Sequence, residues 1–268
     1  VTIPANPNSS PDVWPVISSN VAIKNITMES PFSGSATTML SVSGSWTLTI
    51  YGSWTVNTNA NFDPGSGTVD YAGSSGQGVV ATTYYNLKLS NASGLQMVFE
   101  PIVVYNNIDI LAGVNFIATT NEVRVGGNWN NYGTFTPGSC TLKFNGSTGG
   151  EEQTITGGQF KHMEFSGSEP KLLNGNTEIL GNITIADGAT VSATNETAID
   201  IKVGGNFIVS GTFSAGLSTV VFNGAATQEL VRPASAGAVV FNNLKLLNTG
   251  TVLKLVSSSG GATTQSIT

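Results

Sequence analysis

The sequence predicts an all-β fold, a parallel β-solenoid of about twelve coils of roughly 20 residues each. Only 10% of the 268 residues are charged, and glycine, serine, threonine and asparagine abound beside aliphatic residues, which favours short strands joined by tight turns. Triplets of the form apolar-x-apolar recur about every 20 residues. Four of them make up a longer unit of roughly 75 residues, which also repeats. Self-similarity at fixed periods is the signature of a solenoid.

The long repeat is clearest around residues 123–144. Its motif Val123–Trp129 returns as Ile201–Phe207, and in a looser form as Ile50–Trp54. A second triplet follows each copy about one coil later, at Leu142–Phe144 in the central one. We therefore expect long repeats near 47–120, 121–198 and 199–256, inside a single solenoid domain of residues 21–256.

The N-terminal segment, residues 1–20, differs in composition from the rest. It contains Pro4, Pro7, Pro11 and Pro15. Because proline fixes φ and removes a ladder donor, this segment is predicted to form an extended arm. Residues 257–268 are predicted to be a polar tail.

Twelve triplets define the predicted strands between the arm and the tail. Alternation of period two places the outer residues of each triplet on the inner face and the middle residue on the outer face. The triplets are Ile26–Met28, Leu48–Ile50, Val69–Tyr71, Leu87–Leu89, Ile108–Ile110, Val123–Val125, Leu142–Phe144, Met163–Phe165, Ile183–Ile185, Ile201–Val203, Val220–Phe222 and Leu244–Leu246.

With one triplet per coil, the middle residues would form a single exposed row, with neighbours about 4.8 Å apart. Five of the ten basic residues fall in this row. Opposite charges are neighbours along Asp70, Lys88, Asp109 and Arg124, and again at Lys143 and Glu164, so ion pairs are predicted to favour correct stacking. The alternative fold is a set of tandem β-sandwich modules. The near-constant triplet spacing favours the solenoid, because hairpins of unequal length have no reason to keep it.

Several motifs carry a family resemblance over about residues 42–256. They are Val-Gly-Gly-Asn-Trp/Phe at Val125–Trp129 and Val203–Phe207, Gly-Thr-Phe, Thr-x-x-Phe-Asn-Gly at Thr141–Gly146 and Thr219–Gly224, and aromatic-x-Asn-Leu-Lys-Leu. They resemble the repeats of large secreted bacterial surface proteins, adhesin-like and filamentous-haemagglutinin-like, which form right-handed parallel β-helices. The resemblance implies that fold, an extracellular location and an adhesive or scaffolding role.

Composition narrows the possible partners and location. The net charge of −6 argues against nucleic acid, which needs a basic surface. The single cysteine excludes an internal disulfide. No apolar run is long enough for a membrane span, and a first residue other than Met suggests a removed leader or a trimmed chain. We expect an extracellular or cell-surface protein.

The sequence predicts no enzyme, cofactor or metal site. His162, the only histidine, is expected at an exposed strand edge, and Cys140 in a small-residue turn position. Glu151 and Glu152 form an acidic pair on a predicted loop. A polysaccharide-active enzyme is the least favoured alternative, because Lys88 separates Asp70 from Asp109 and disfavours a carboxylate cluster.

Aromatic residues give a glycan-binding hypothesis. Tyr51 and Tyr132 could form a sugar-stacking strip with three tryptophans, Trp46, Trp54 and Trp129. Trp54 and Trp129, however, align with Phe207 in the long repeat, and a position that alternates between Trp and Phe is typical of a core.

The order of the triplets gives the main functional hypothesis. Four triplet types make one long repeat; the fourth carries Asn-Ile, as at Asn25–Met28, and the third ends the series at Phe241–Leu246. Subunits placed head to tail would continue this order, which produces a filament. The predicted assembly interface comprises Ile26, Met28, Leu244, Leu246, Leu253 and Leu255. The alternative is a monomeric adhesin or carbohydrate-binding fragment of a larger surface repeat protein.

Overall fold

The computed structural model of the protein describes residues 1–4, 14–30, 38–92, 95–98, 100–119, 122–146, 151–194, 196–233, 235–247 and 253–256. Residues 257–268, the predicted polar tail, lie outside the described residues. The fold is an all-β parallel solenoid of about 10 turns, roughly 21 residues apart, with no helix in the described ranges. The coils have a right-handed appearance, as the resemblance implied.

The described part of the chain consists of short strands. In chain order they are β1 (Thr2–Ile3), β2 (Val16–Ile17), β3 (Val21–Ile23), β4 (Ile26–Met28), β5 (Thr38–Val42), β6 (Thr47–Ile50), β7 (Trp54–Val56), β8 (Ala60–Asp63), β9 (Thr68–Tyr71), β10 (Gln77–Val79), β11 (Thr83–Tyr84), β12 (Asn86–Leu89), β13 (Leu95–Val98), β14 (Ile102–Val104), β15 (Ile108–Ile110), β16 (Asn115–Ala118), β17 (Glu122–Val125), β18 (Trp129–Asn131), β19 (Thr134–Thr136), β20 (Thr141–Phe144), β21 (Gln153–Phe160), β22 (His162–Phe165), β23 (Lys171–Ile179), β24 (Ile183–Ile185), β25 (Thr190–Ala193), β26 (Asp200–Val203), β27 (Phe207–Val209), β28 (Thr212–Ser214), β29 (Thr219–Phe222), β30 (Gln228–Val231), β31 (Val239–Val240), β32 (Asn243–Leu246) and β33 (Leu253–Val256).

Parallel stacking of equivalent strands builds the core. Leu142 and Phe144 of β20 pair with Met163 and Phe165 of β22, and all four side chains are buried, as the period-two pattern predicted. The strand pairs that the structure describes are parallel throughout. This pairing contradicts the tandem β-sandwich alternative, which would need antiparallel hairpins.

The chain divides into two compact units. The first comprises Val1–Val123 and Asn131–Thr134. Its sheets include the strand orders β3-β6-β9-β12-β15, β1-β4-β7 and β2-β5-β8. The arm, residues 1–20, thus contributes β1 and β2 to two of these sheets.

The second unit comprises Arg124–Asn130 and Phe135–Thr268. Its sheets include β20-β22-β24-β27-β30-β33, β21-β23-β25-β28-β31 and a branch β23-β26-β29-β32. Strands β21 and β23 are longer than a triplet, and their register shifts between Thr156 and Gly158.

The middle residues of the triplets form separate rows, not the single row predicted from the sequence. The rows are Thr49, Asp70, Lys88 and Asp109; then Lys143, Glu164 and Thr184; then Lys202, Val221 and Lys245. The first two rows end at a type-four triplet. Ile183 of the type-four strand β24 stacks on Phe207 of β27, whereas the next triplet, which begins at Ile201, lies in the preceding strand β26. That triplet therefore starts a new row on another sheet. The chain therefore makes about 10 turns, and the twelve predicted were too many.

Within the rows, two predicted ion pairs are confirmed. Lys88 Nζ lies 3.0 Å from Asp70 Oδ2, and Lys143 Nζ lies 3.3 Å from Glu164 Oε2. Asp70 is otherwise buried and also accepts a hydrogen bond from Ser90 Oγ at 2.6 Å. These contacts join neighbouring coils. The more exposed of the two, Lys143–Glu164, contributes about 0.2–1 kcal/mol.

Candidate assembly site

The aromatic residues proposed for glycan binding separate into core and surface. Trp54 and Trp129 are buried, and each packs edge to face on a phenylalanine, Phe62 or Phe135, with ring centroids 4.9 Å apart. These two tryptophans therefore belong to the core. Trp46, Tyr51 and Tyr132 are exposed.

His162 lies in a ladder of hydrogen bonds between coils. Its Nδ1 accepts from the backbone N–H of Asn182 at 2.9 Å. One coil further on, Asn182 Oδ1 accepts from the N–H of Asn206, and Asn206 Oδ1 accepts from that of Glu229, both at 2.9 Å. Burial, and then the charge of Lys161, hold the pKa of His162 below its ordinary value. The ring therefore acts as an acceptor at a rung where the next two coils use an asparagine side chain.

The other proposed chemical residues are not brought together. Cys140 is buried, whereas Glu151 and Glu152 are exposed. Within the described ranges, no group of three or more His, Cys, Asp and Glu side chains could hold a metal ion.

Three buried glutamines form a recurring clamp that the sequence interpretation missed. Each Oε1 accepts from a glycine N–H, and each Nε2 donates to two carbonyls of the preceding coil. Gln77 bonds Gly73, Ile50 and Gly52; Gln153 bonds Gly146, Val125 and Gly127; Gln228 bonds Gly224, Val203 and Gly205. The available signal was their near-equal spacing along the chain, which is in phase with the long repeat. We call Gln77, Gln153 and Gln228 the glutamine clamps.

The strands β32 and β33, which we call the open coil, differ from equivalent coils in exposure. Leu246 pairs with Phe222 and is 57% exposed, whereas its counterparts in earlier repeats, Leu89 and Phe165, are 0% exposed. Leu255 is 39% exposed, whereas its paired residue Leu230 is 4% exposed. Leu244 and Leu253 are half-buried. Leu246 and Leu255 therefore occupy positions that face the core in other coils, but in the open coil they are exposed to solvent.

The predicted partners of the open coil lie inside the first unit. Ile26 and Met28 are 3% and 0% exposed, because β4 lies between β1 and β7. Ile3 of β1 and Ile17 of β2 are buried as well. The first coil is therefore covered where the open coil is not.

This arrangement can bind another strand. An unpaired parallel edge offers alternating N–H and C=O groups, and exposed inward-column leucines add apolar area. No known protein family, curated protein or solved structure matches the chain. In the described ranges, no helix could span a membrane. The open coil is consequently the feature on which a functional hypothesis can rest.

Proposed function

We propose that the protein is a structural subunit of an extracellular filament, in which the open coil adds to another copy of the chain. The observation that carries this proposal is the exposure of Leu246 and Leu255, whose equivalents in the stack are buried. Full burial of a leucine side chain contributes about 1.5–3 kcal/mol, so covering the exposed part of these two leucines contributes a share of that to stacking of a further coil. The contact is between unlike surfaces, and such contacts extend into a filament where the rotation between copies does not close a ring.

Composition supports an extracellular setting for such a filament. Ser, Thr and Asn are abundant, charge is low, and the single cysteine is buried. Stacking of β-coils uses main-chain hydrogen bonds and apolar columns, neither of which requires a cofactor.

Assembly can be measured by sedimentation velocity and negative-stain microscopy over a wide range of protein concentration. We expect filaments whose abundance rises with concentration. The variants Leu246→Lys and Leu255→Lys should remain monomeric, because a charge would be buried at the new contact.

Leu180→Lys is the matched control. Leu180 is 43% exposed and lies in the turn between β23 and β24, in a coil that has neighbours on both sides. Strands β27 and β30 separate β24 from β33 in their sheet, so the substitution does not reach the open coil. This variant should assemble like the parent chain. A parent chain that stays monomeric at every concentration would overturn the proposal, as would Leu246→Lys and Leu255→Lys variants that assemble normally.

Glycan binding is a second candidate, favoured by the surface tyrosines of the first unit. Tyr51 and Tyr132 follow β6 and β18 at the same corner, where each backbone N–H donates to the preceding coil. Four coils separate them, or about 19 Å at 4.8 Å per coil. A glycan array should show selective binding by the parent chain and loss of that binding in Tyr132→Ser and Trp46→Ala. Binding retained in both variants would exclude these residues.

A further inference from the structure

We propose that assembly occurs by strand replacement: β32 and β33 of one copy take the places of β1 and β2 on β4 and β5 of the next. This inference rests on the proposed filament function and identifies the surface that receives the open coil. It makes β1 and β2, the two described strands of the arm, a removable cover for that surface.

The order of strand types selects β4 as the receiving strand. Within the chain, type-three strands lie directly on type-four strands: β12 pairs with β15, and β22 pairs with β24. Strand β32 is of type three, and within the described residues it pairs with β29 alone. The remaining type-four strand there is β4, whose corresponding edge is occupied by β1.

Strand β1 reproduces the hydrogen bonds that a type-three strand makes to a type-four strand. The nitrogen of Val1 donates to Asn25 O at 2.7 Å, and Glu29 N donates to Ile3 O at 3.0 Å. The equivalent bonds elsewhere run from Leu87 N to Asn107 O, from Met163 N to Asn182 O, from Leu111 N to Leu89 O and from Ala186 N to Phe165 O, at 2.9 to 3.1 Å. Val1–Ile3 therefore occupies a type-three position, to which the sequence interpretation had assigned no triplet.

The open coil carries the groups needed to make the same bonds. Leu247 N donates to Phe222 O, so the alternation of a parallel ladder turns the amides of Leu244 and Leu246 away from β29. In the replaced state, Leu244 N would donate to Asn25 O of the second copy, and Leu246 O would accept from Glu29 N.

The adjacent strands fit in the same manner. Strand β33 follows β32 along the chain as β2 follows β1, and β2 holds β5 through two residue pairs, Val16 with Ser41 and Ile17 with Val42. Strands β1 and β2 have 2 residues each, whereas β32 and β33 have 4 each. On β4, which has 3 residues, β1 and β32 make the same bonds, whereas the 4-residue β33 extends the ladder on β5 beyond the two pairs that β2 makes. The exchange removes Leu246 and Leu255 from solvent and uncovers Ile3 and Ile17, which are buried in the monomer. The added strand pairs on β5 therefore favour the replaced state.

A disulfide that locks β1 onto β4 tests the mechanism in the full chain. Thr2 and Thr27 are direct partners in the β1–β4 register, and neighbouring strands about 4.8 Å apart satisfy the Cα separation of a disulfide. The variant Thr2→Cys/Thr27→Cys should stay monomeric when oxidised and assemble like the parent chain when reduced. Light scattering and negative-stain microscopy follow assembly, and intact mass reports the disulfide.

Thr27→Cys/Thr55→Cys is the matched control, because it locks β4 onto β7 on the opposite side of the same strand. This variant should assemble in both redox states. Deletion of residues 1–20 provides a second measurement and should accelerate assembly, because no strand must leave first.

The outcomes separate this inference from the proposed function. Oxidised Thr2→Cys/Thr27→Cys that assembles as fast as the reduced form would overturn strand replacement and leave the filament proposal standing. A parent chain that never assembles overturns both. An oxidised Thr2→Cys/Thr27→Cys variant that stays monomeric while oxidised Thr27→Cys/Thr55→Cys assembles supports both.

Discussion

Single buried amides hold neighbouring coils of this solenoid in register. Each glutamine clamp pairs one N–H and one glycine carbonyl and gives a second donor to a strand carbonyl. Around Gln153, Oε1 accepts from Gly146 N–H, and Nε2 donates to Gly127 O and to Val125 O, which also accepts from Asn145 N–H at 3.1 Å. A buried polar group without a partner costs about 1–3 kcal/mol, whereas a normal hydrogen bond gains about 0.5–1.5 kcal/mol. The glutamines therefore disfavour any register in which these groups lose their partners.

Replacing Gln153 with leucine should destabilise the protein by about 1–3 kcal/mol for each polar group left unpaired. Urea unfolding followed by circular dichroism measures the loss. Gln159→Leu is the control, because Gln159 is an exposed residue of the same strand whose side chain donates to Glu178 at 2.8 Å. Equal losses for the two variants would contradict the role of the clamp.

Truncation of inward and outward residues on one strand should have unequal effects. Phe144 is fully buried and stacks on Phe165 with ring centroids 5.5 Å apart, so Phe144→Ala is expected to cost about 3–5 kcal/mol. Phe222→Ala should cost a similar amount. Lys143→Ala removes an exposed ion pair and should cost less than about 1 kcal/mol. Similar losses for Phe144→Ala and Lys143→Ala in urea unfolding would refute the inward and outward assignment.

At the scale of strands, the sequence predicted position well and stacking partners poorly. Period-two alternation located the triplets, because each must bury its outer residues, as Leu142 and Phe144 do. The start of a new row at Ile201 could not be predicted from the alternation. The period-two pattern shows only that Ile201 faces inward, and it does so on whichever sheet of the solenoid it lies. The short interval from Ile183 to Ile201 was an ambiguous sign, since the interval from Val69 to Leu87 is equally short and starts no new row.

The acceptor ladder through His162 makes one strand pair sensitive to pH. Only a neutral ring can accept the Asn182 N–H at Nδ1, and the pKa of His162 in the folded protein lies below its ordinary value of 6.5. The unfolded chain therefore binds the proton more readily. Stability from this site is present above the unfolded pKa and is lost as pH falls through the folded pKa.

His162→Asn should remove this contribution to the pH dependence and keep the ladder, since Asn182 and Asn206 act as acceptors at the next two rungs. The measurement is the midpoint of urea unfolding at pH values from neutral to below the folded pKa. The parent chain should lose more stability than His162→Asn over this range. Identical pH profiles would exclude a titrating His162.

On the scale of the whole molecule, the fold class was predictable and the candidate site only partly so. The periodic triplets identify a parallel solenoid, and their order pointed to Ile26, Met28, Leu244, Leu246, Leu253 and Leu255. The cover formed by β1 was not predictable, because Val1-Thr2-Ile3 lies before a proline-rich segment and carries no Asn-Leu-Lys-Leu motif. Only its hydrogen bonds to β4 identify it as a type-three strand.

Hydrogen exchange across the chain should report the open coil and its replacement of the arm. In the monomer, amides of β32 should exchange quickly, because Leu244 and Leu246 point their N–H groups away from β29, whereas those of β22, paired on both sides by β20 and β24, should exchange slowly. In filaments, β32 should become protected and β1 should lose protection, with β22 unchanged as the internal control. Mass spectrometry of peptides covering these strands resolves the three signals. A β1 that stays protected in filaments would mean that copies stack without displacing the arm.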